Sequence, residues 1–260
     1  MCSDVVSLDH MLAFSSMFMG RYQPAIDAAR KGLLTVDPEL LRSIPNYIEA
    51  FFTLPYHILI RFGKWKEILA EPFPKEPDVY LCTTATLHYA RGIALAATGD
   101  TKGARAEQKL LIESYDQIPD MRYLHNCKMR DILAIGKHML EGEILYREER
   151  CKEAFAELRI AVDLEDHLNF DEPWGWMQPV RHALGALLLE QGHAEEAEQV
   201  YLADLKRYPD NIWSLKGLTE IYVKTNPDAA KTRLDTIEQL KRLTDHEIEV
   251  SCYCRLTREQ

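Results

Sequence analysis

Long apolar runs are missing from this chain. No uncharged apolar stretch reaches about 18 residues, so no segment reads as a membrane span. Positive charge is also in short supply: 31 Lys and Arg stand against 41 Asp and Glu, a formal net charge of −10. That balance argues against nucleic acid or an anionic membrane surface as the partner, since both reward clustered Lys and Arg. Cysteine is sparse as well. Six residues (Cys2, Cys82, Cys127, Cys151, Cys252, Cys254) in 260 are too few for a disulfide scaffold. No basic region precedes the apolar stretch Met11–Met19, so no signal peptide is expected, and the chain reads as cytoplasmic with reduced thiols. The period-2 alternation of strands is absent, and so are GxGxxG, GxxxxGK[ST], GxSxG and HExxH.

What is present is a recurring pivot. A helical run ends at a glycine, and a small residue follows five positions later in the next run: Gly20/Ala25, Gly99/Ala104 and Gly192/Ala197, with a weaker Gly63/Ile68 and a glycine-less Glu149/Ala154. Glycine leaves a helix through the left-handed region without the cost a Cβ brings. Alanine lets two helices approach closely. The spacing predicts an all-α array of about five to six helix-turn-helix units in one domain over residues 1–260. Expected pairs are Val5–Met19 with Pro24–Val36, Pro45–Phe62 with Lys64–Leu69, and Asp78–Thr98 with Thr101–Gln117. The prolines at 72, 74 and 77 force an extended connector. Pro119–Tyr146 reads as one long helix or two broken near His125–Lys128, packed against Arg150–His167. The clearest repeats span 178–210 and 211–244, and a short helix from Asp245 to about Cys254 is expected to cap the open end.

From Gln178 to Asp210 the residue order (Leu184-Gly185, Leu188, Ala197, Tyr201, Pro209) resembles a tetratricopeptide repeat. Trp213, Leu215, Leu218 and Tyr222 resemble a second, and Gly92, Leu95, Gly99 and Ala104 fit the same frame, as do Ala13, Gly20, Ala25 and Ala29. The stretches Phe170–His182, with its Asp-Glu-Pro-Trp-Gly-Trp, and Leu54–Gly63 are similar to segments of a tetratricopeptide group whose function is little characterised. The resemblance implies a right-handed superhelical solenoid whose concave groove, lined by the first helix of each pair, holds a ligand.

With each pivot set as position 15, groove-facing positions in that family fall near 2, 5, 9, 12 and 13. This frame assigns His10, His57, Arg61, Tyr89, Glu143, Tyr146 and His182 to the groove, with His88 and His138 one residue off it. Arg181 adjoins His182, and Trp174 and Trp176 belong to a long aromatic-acidic loop, 167–177, that reads either as a lid or as packing between repeats. The resulting expectation is an accessory or interaction protein that binds a peptide or small molecule, with Arg61 as carboxylate clamp. The alternative is a small Cu-, Zn- or Fe-dependent enzyme or redox protein, in which His57, His88, His182 and also His10 hold an ion. No HxxH or HxxxH pair supports that alternative. Cys252-Tyr-Cys254 looks too close for an ordinary disulfide and leaves open a soft-metal grip or two incidental cysteines on the terminal helix.

Overall fold

The computed structural model describes residues 2–255, with the side chains of residues 7–255. It is helical almost throughout. In chain order the elements are α1 (Cys2–Phe18), α2 (Tyr22–Leu34), α3 (Pro38–Ser43), α4 (Pro45–Ile48), a 3-10 segment (Glu49–Thr53), α5 (Leu54–Arg61), α6 (Trp65–Ala70), α7 (Leu81–Ala97) and α8 (Thr101–Asp116). They continue with β1 (Tyr123–Leu124), β2 (Cys127–Lys128), α9 (Met129–Arg147), α10 (Cys151–Asp166), α11 (Val180–Glu190), α12 (Ala194–Arg207), α13 (Ile212–Thr225) and α14 (Pro227–Lys241). Consecutive helices pack in pairs: α1 on α2, α7 on α8, α9 on α10, α11 on α12 and α13 on α14.

All five pivots leave the preceding helix through positive φ: Gly20 at 69°, Gly63 at 63°, Gly99 at 90°, Glu149 at 63° and Gly192 at 83°. Four are glycine, where that conformation is nearly free, and Glu149 adopts it against its Cβ. The small residues meant for close helix approach are where the pattern puts them. Ala25, Ala104, Ala154 and Ala197 are buried in the core, and a Cβ added at Gly185 would lie 2.7 Å from the Tyr201 ring.

Three expectations need correction. Residues 119–128 are not helix: Tyr123 pairs with Lys128 and Leu124 with Cys127 in a two-stranded antiparallel hairpin, turned through His125 at φ 47°. The break expected near His125–Lys128 is there, but Pro119 and the tight turn favour a hairpin over a second helix. The segment Pro45–Phe62 is interrupted by 3-10 winding at Glu49–Thr53, just before Pro55. The third correction concerns the C-terminus. After α14 the described chain, 242–255, forms turns and bends and contains no capping helix. Because it turns there, Cys252 and Cys254 bring their Cα atoms to 5.2 Å and are joined as a disulfide, contrary to the expectation from spacing.

The interior is closed by contacts between the early and late helices. The Phe18 ring meets Tyr208 at 4.8 Å, Phe62 meets Trp213 at 5.7 Å, and Gln178 donates to the carbonyl of His57. The loop 167–177 serves as packing. Trp176 and Met177 are fully buried, and the loop docks on the hairpin through Asn169–Asn126 and Asp171–Asn126 hydrogen bonds. Phe170 projects to solvent, as do His167, Asn169 and Glu172.

Candidate functional site

Arg61 ends α5, and its guanidinium is carried into the interior rather than to water. It stacks on the Trp213 ring of α13, with Cζ 4.1 Å from the centroid, while Phe18 of α1 lies at 5.6 Å. Its Nη1 donates to Nδ1 of His182 on α11. The other ring nitrogen, Nε2, lies 3.1 Å from Oδ2 of Asp204 on α12 and 2.7 Å from Nδ2 of Asn211. Asp204 Oδ2 also accepts from Ser214 Oγ at 2.6 Å and from Asn211 Nδ2 at 2.8 Å. Asn211 itself caps α13, accepting from the Trp213 N–H. Four elements thus fix one chain of polar groups, Arg61–His182–Asp204, with a cation at one end and an anion at the other.

The electrostatics follow from burial. Burial depresses Arg61 to about 9, with Asp204 opposing, so the guanidinium stays charged at neutral pH. Burial, with the neighbouring Arg61 charge, holds His182 at about 4, which makes it a neutral relay. Burial alone would push Asp204 up. The His182 interactions and the Ser214 hydrogen bond outweigh it and hold the carboxyl below its ordinary value. Among the described residues Arg61 therefore has its counter-charge one imidazole away and no carboxylate against its own nitrogens. Its Nε and Nη2 are buried without a hydrogen-bond partner among the described residues. Orphaned buried donors on a cation are costly and call for an acceptor.

A cavity of about 40 Å³ lies beside this guanidinium. Arg61, Gln178, His182, Trp213, Tyr89, Met139 and Glu143 line it. Ser251, Cys252, Tyr253 and Cys254 of the C-terminal segment also line it. At this size it takes a water or two.

The sequence frame placed Arg61, Tyr89, Glu143 and His182 in the groove, and all four line the cavity. The others go elsewhere. His10 is fully buried against Phe51 and His125, at ring separations of 5.7 and 5.3 Å, with neither nitrogen hydrogen-bonded. His57 packs edge-on to Trp176 at 5.0 Å, on the same ring that Tyr89 meets at 5.4 Å from the cavity wall. Tyr146 donates to Glu190 at 2.6 Å, Trp174 lies under the Arg207 guanidinium at 4.5 Å, and Arg181 pairs with Asp166 at 2.6 Å. His138 pairs with Glu157 at 2.6 Å.

The proposed metal set is not assembled. His88 holds Glu107 at 2.6 Å under Phe73, His182 holds Arg61 and Asp204, and His57 faces Trp176. Among the described residues no group of three or more His, Cys, Asp or Glu side chains is arranged to hold a metal ion. Sequence reasoning missed Asp204, Asn211, Ser214, Trp213 and Gln178. Asn211 and Ser214 flank the start of α13, and Asn211 is legible as its N-cap; nothing local marked Asp204, on a second helix, as a buried acid. The comparison with protein-family models finds no match, and neither does the comparison with curated proteins.

Proposed function

We propose that this protein is a tetratricopeptide-like, right-handed superhelical solenoid whose concave interior binds a carboxylate-bearing ligand, a peptide segment or small molecule, on Arg61. One observation carries the reading: a buried, charged guanidinium at a cavity wall with two nitrogens unpartnered. Arginine offers a planar fork that matches a carboxylate in two parallel hydrogen bonds. Trp213 beneath it and His182 behind it fix the fork before any ligand arrives, which reduces the ordering cost of binding. Gln178, Tyr89 and the aromatic lining supply polar and apolar surface for the rest of the ligand. The protein acts in this reading as an accessory or interaction protein.

The test is a fluorescence titration, run with and without dithiothreitol, using peptides made in two forms, one with a free C-terminal carboxylate and one amidated. Binding of the free form, its loss on amidation and its loss in Arg61→Met are expected. Equal binding of the two forms, or no effect of Arg61→Met, would remove Arg61 as the acceptor.

A further inference from the structure

Residues 251–254 of the C-terminal segment line the cavity, and that segment is seated by specific contacts along its length. The Asp245 carboxylate accepts from the backbone N–H of Tyr22 at 2.6 Å and Gln23 at 3.1 Å. The His246 ring lies 5.3 Å from Phe62 and 6.1 Å from Tyr253. Ser251 Oγ bonds Tyr201 OH at 2.6 Å. Tyr253 stands edge-on to Trp213 at 5.9 Å, Arg147 donates to the Cys254 carbonyl, and Arg255 pairs with Glu220 at 2.6 Å.

Two of the pivots are part of this seat. A Cβ at Gly20 would lie 2.5 Å from Ile248 Cδ1, and one at Gly63 would lie 3.0 Å from Tyr253 Cβ. Gly99 and Gly192, with the same backbone conformation, have nothing within 4 Å. The strap thus crosses the first two turns of the array and ends over Arg61 and Trp213. With it in place the cavity takes no ligand larger than a water or two.

The part of the strap that closes the cavity is the part that carries the disulfide. Cys252 and Cys254 join across Tyr253, and the Cys254 N–H donates to Cys252 Sγ at 3.1 Å. The ring so formed holds Tyr253 against Trp213 and turns the Cys254 carbonyl to Arg147. Cys82, Cys127 and Cys151 are free thiols; Cys82 and Cys127 are buried and their thiols are pushed up by burial, so those two do not compete for exchange, and Cys151 is half-buried.

We propose that Cys252 and Cys254 form a thiol–disulfide exchange site that latches the C-terminal strap over the Arg61 cavity, closed when oxidised and open when reduced. The reductant is a dithiol. Its thiolate attacks Cys252 Sγ, the more exposed of the pair, forming a mixed disulfide and expelling Cys254 as a thiolate that takes up a proton. The reductant's second thiol attacks the mixed disulfide, Cys252 leaves and is protonated, and the reductant departs as its own disulfide. Two electrons and two protons have passed to the cysteine pair. Tyr253 and the Cys254 carbonyl are then no longer held by the ring, and residues 245–255 leave the cavity mouth.

The role of opening rests on the ligand reading above, but its test does not need a ligand. Hydrogen–deuterium exchange is measured on the full chain, oxidised and after treatment with dithiothreitol, with intact mass reporting the redox state of the pair. Reduction is expected to add two hydrogens and to raise exchange over 245–255 roughly tenfold or more, leaving α7–α10 unchanged. Cys252→Ser/Cys254→Ser should exchange like the reduced chain with or without dithiothreitol. Exchange over 245–255 that is the same in both states, or a mass that shows no disulfide in the oxidised chain, would overturn the proposal. The wild-type comparison stands even if the double variant fails to fold. Failure here leaves the Arg61 titration untouched, and failure of that titration leaves the latch intact.

Discussion

Asp245 caps the helix that begins at Tyr22: its two carboxylate oxygens take the N–H groups of Tyr22 and Gln23 from 223 and 222 residues away. Arg21, the local N-cap of α2, makes no side-chain cap, so the far end of the chain supplies one. Asp245→Ala should lower stability by about 1 kcal/mol, typical for a lost cap, and raise amide exchange at Tyr22 and Gln23. An unchanged denaturation midpoint together with unchanged exchange would mean the cap does not form in solution.

Tyr201 is held between two helices by glycine on both sides. A Cβ at Gly185 would approach its ring to 2.7 Å and one at Gly217 to 2.2 Å. Gly217→Ala should therefore destabilise by about 1–3 kcal/mol through overpacking, read from urea unfolding, and weaken the Tyr201–Ser251 bond that seats the strap.

Glu149 offers the opposite sign. It holds φ 63° with an exposed side chain, so its backbone strain has no evident compensation. Glu149→Gly should stabilise by up to about 1 kcal/mol, and a loss of stability in thermal unfolding would contradict the strain assigned to that turn.

The pivots explain how much of the fold was legible. Helix exits are local, set by glycine and the small residue after it, and all five were readable from sequence, even at Glu149. The hairpin at 123–128 and the strap at 242–255 were not. Each is stabilised by partners far away: Asp171 and Asn169 for the hairpin, Tyr22, Tyr201 and Arg147 for the strap. The site divides the same way. Arg61 and His182 followed from the repeat frame, but their union with Asp204 depends on α5 meeting α11 and α12 across the interior, which periodicity does not encode.

Acid should unfold the protein through its buried histidines. His10 is held at about 3, chiefly by burial with His125 and His57 nearby, and burial lowers His57 and His182 to about 4. The folded state keeps all three neutral, whereas the unfolded chain protonates them below about 6.5. Their contribution is fully present above pH 6.5 and is lost as pH falls toward 4. Near pH 5 the three together give stability a positive slope of up to about 4 kcal/mol per pH unit. Glu165, pushed up to about 8 by burial, offsets one proton of that slope, since the folded state keeps a proton that the unfolded chain gives up. His10→Gln should reduce the slope in urea unfolding between pH 5 and 6.5 by about one proton. An identical slope would place His10 in contact with water.

The Arg61 guanidinium can be followed directly by NMR in protein labelled with nitrogen-15 arginine, its Nε–H signal identified by its absence in Arg61→Lys. Adding a peptide with a free terminal carboxylate to the dithiothreitol-treated chain should shift that signal downfield and slow its exchange with water, and the amidated peptide should leave it in place. Peptide binding that leaves the Arg61 signal unmoved, or moves it equally with both peptides, would contradict the account.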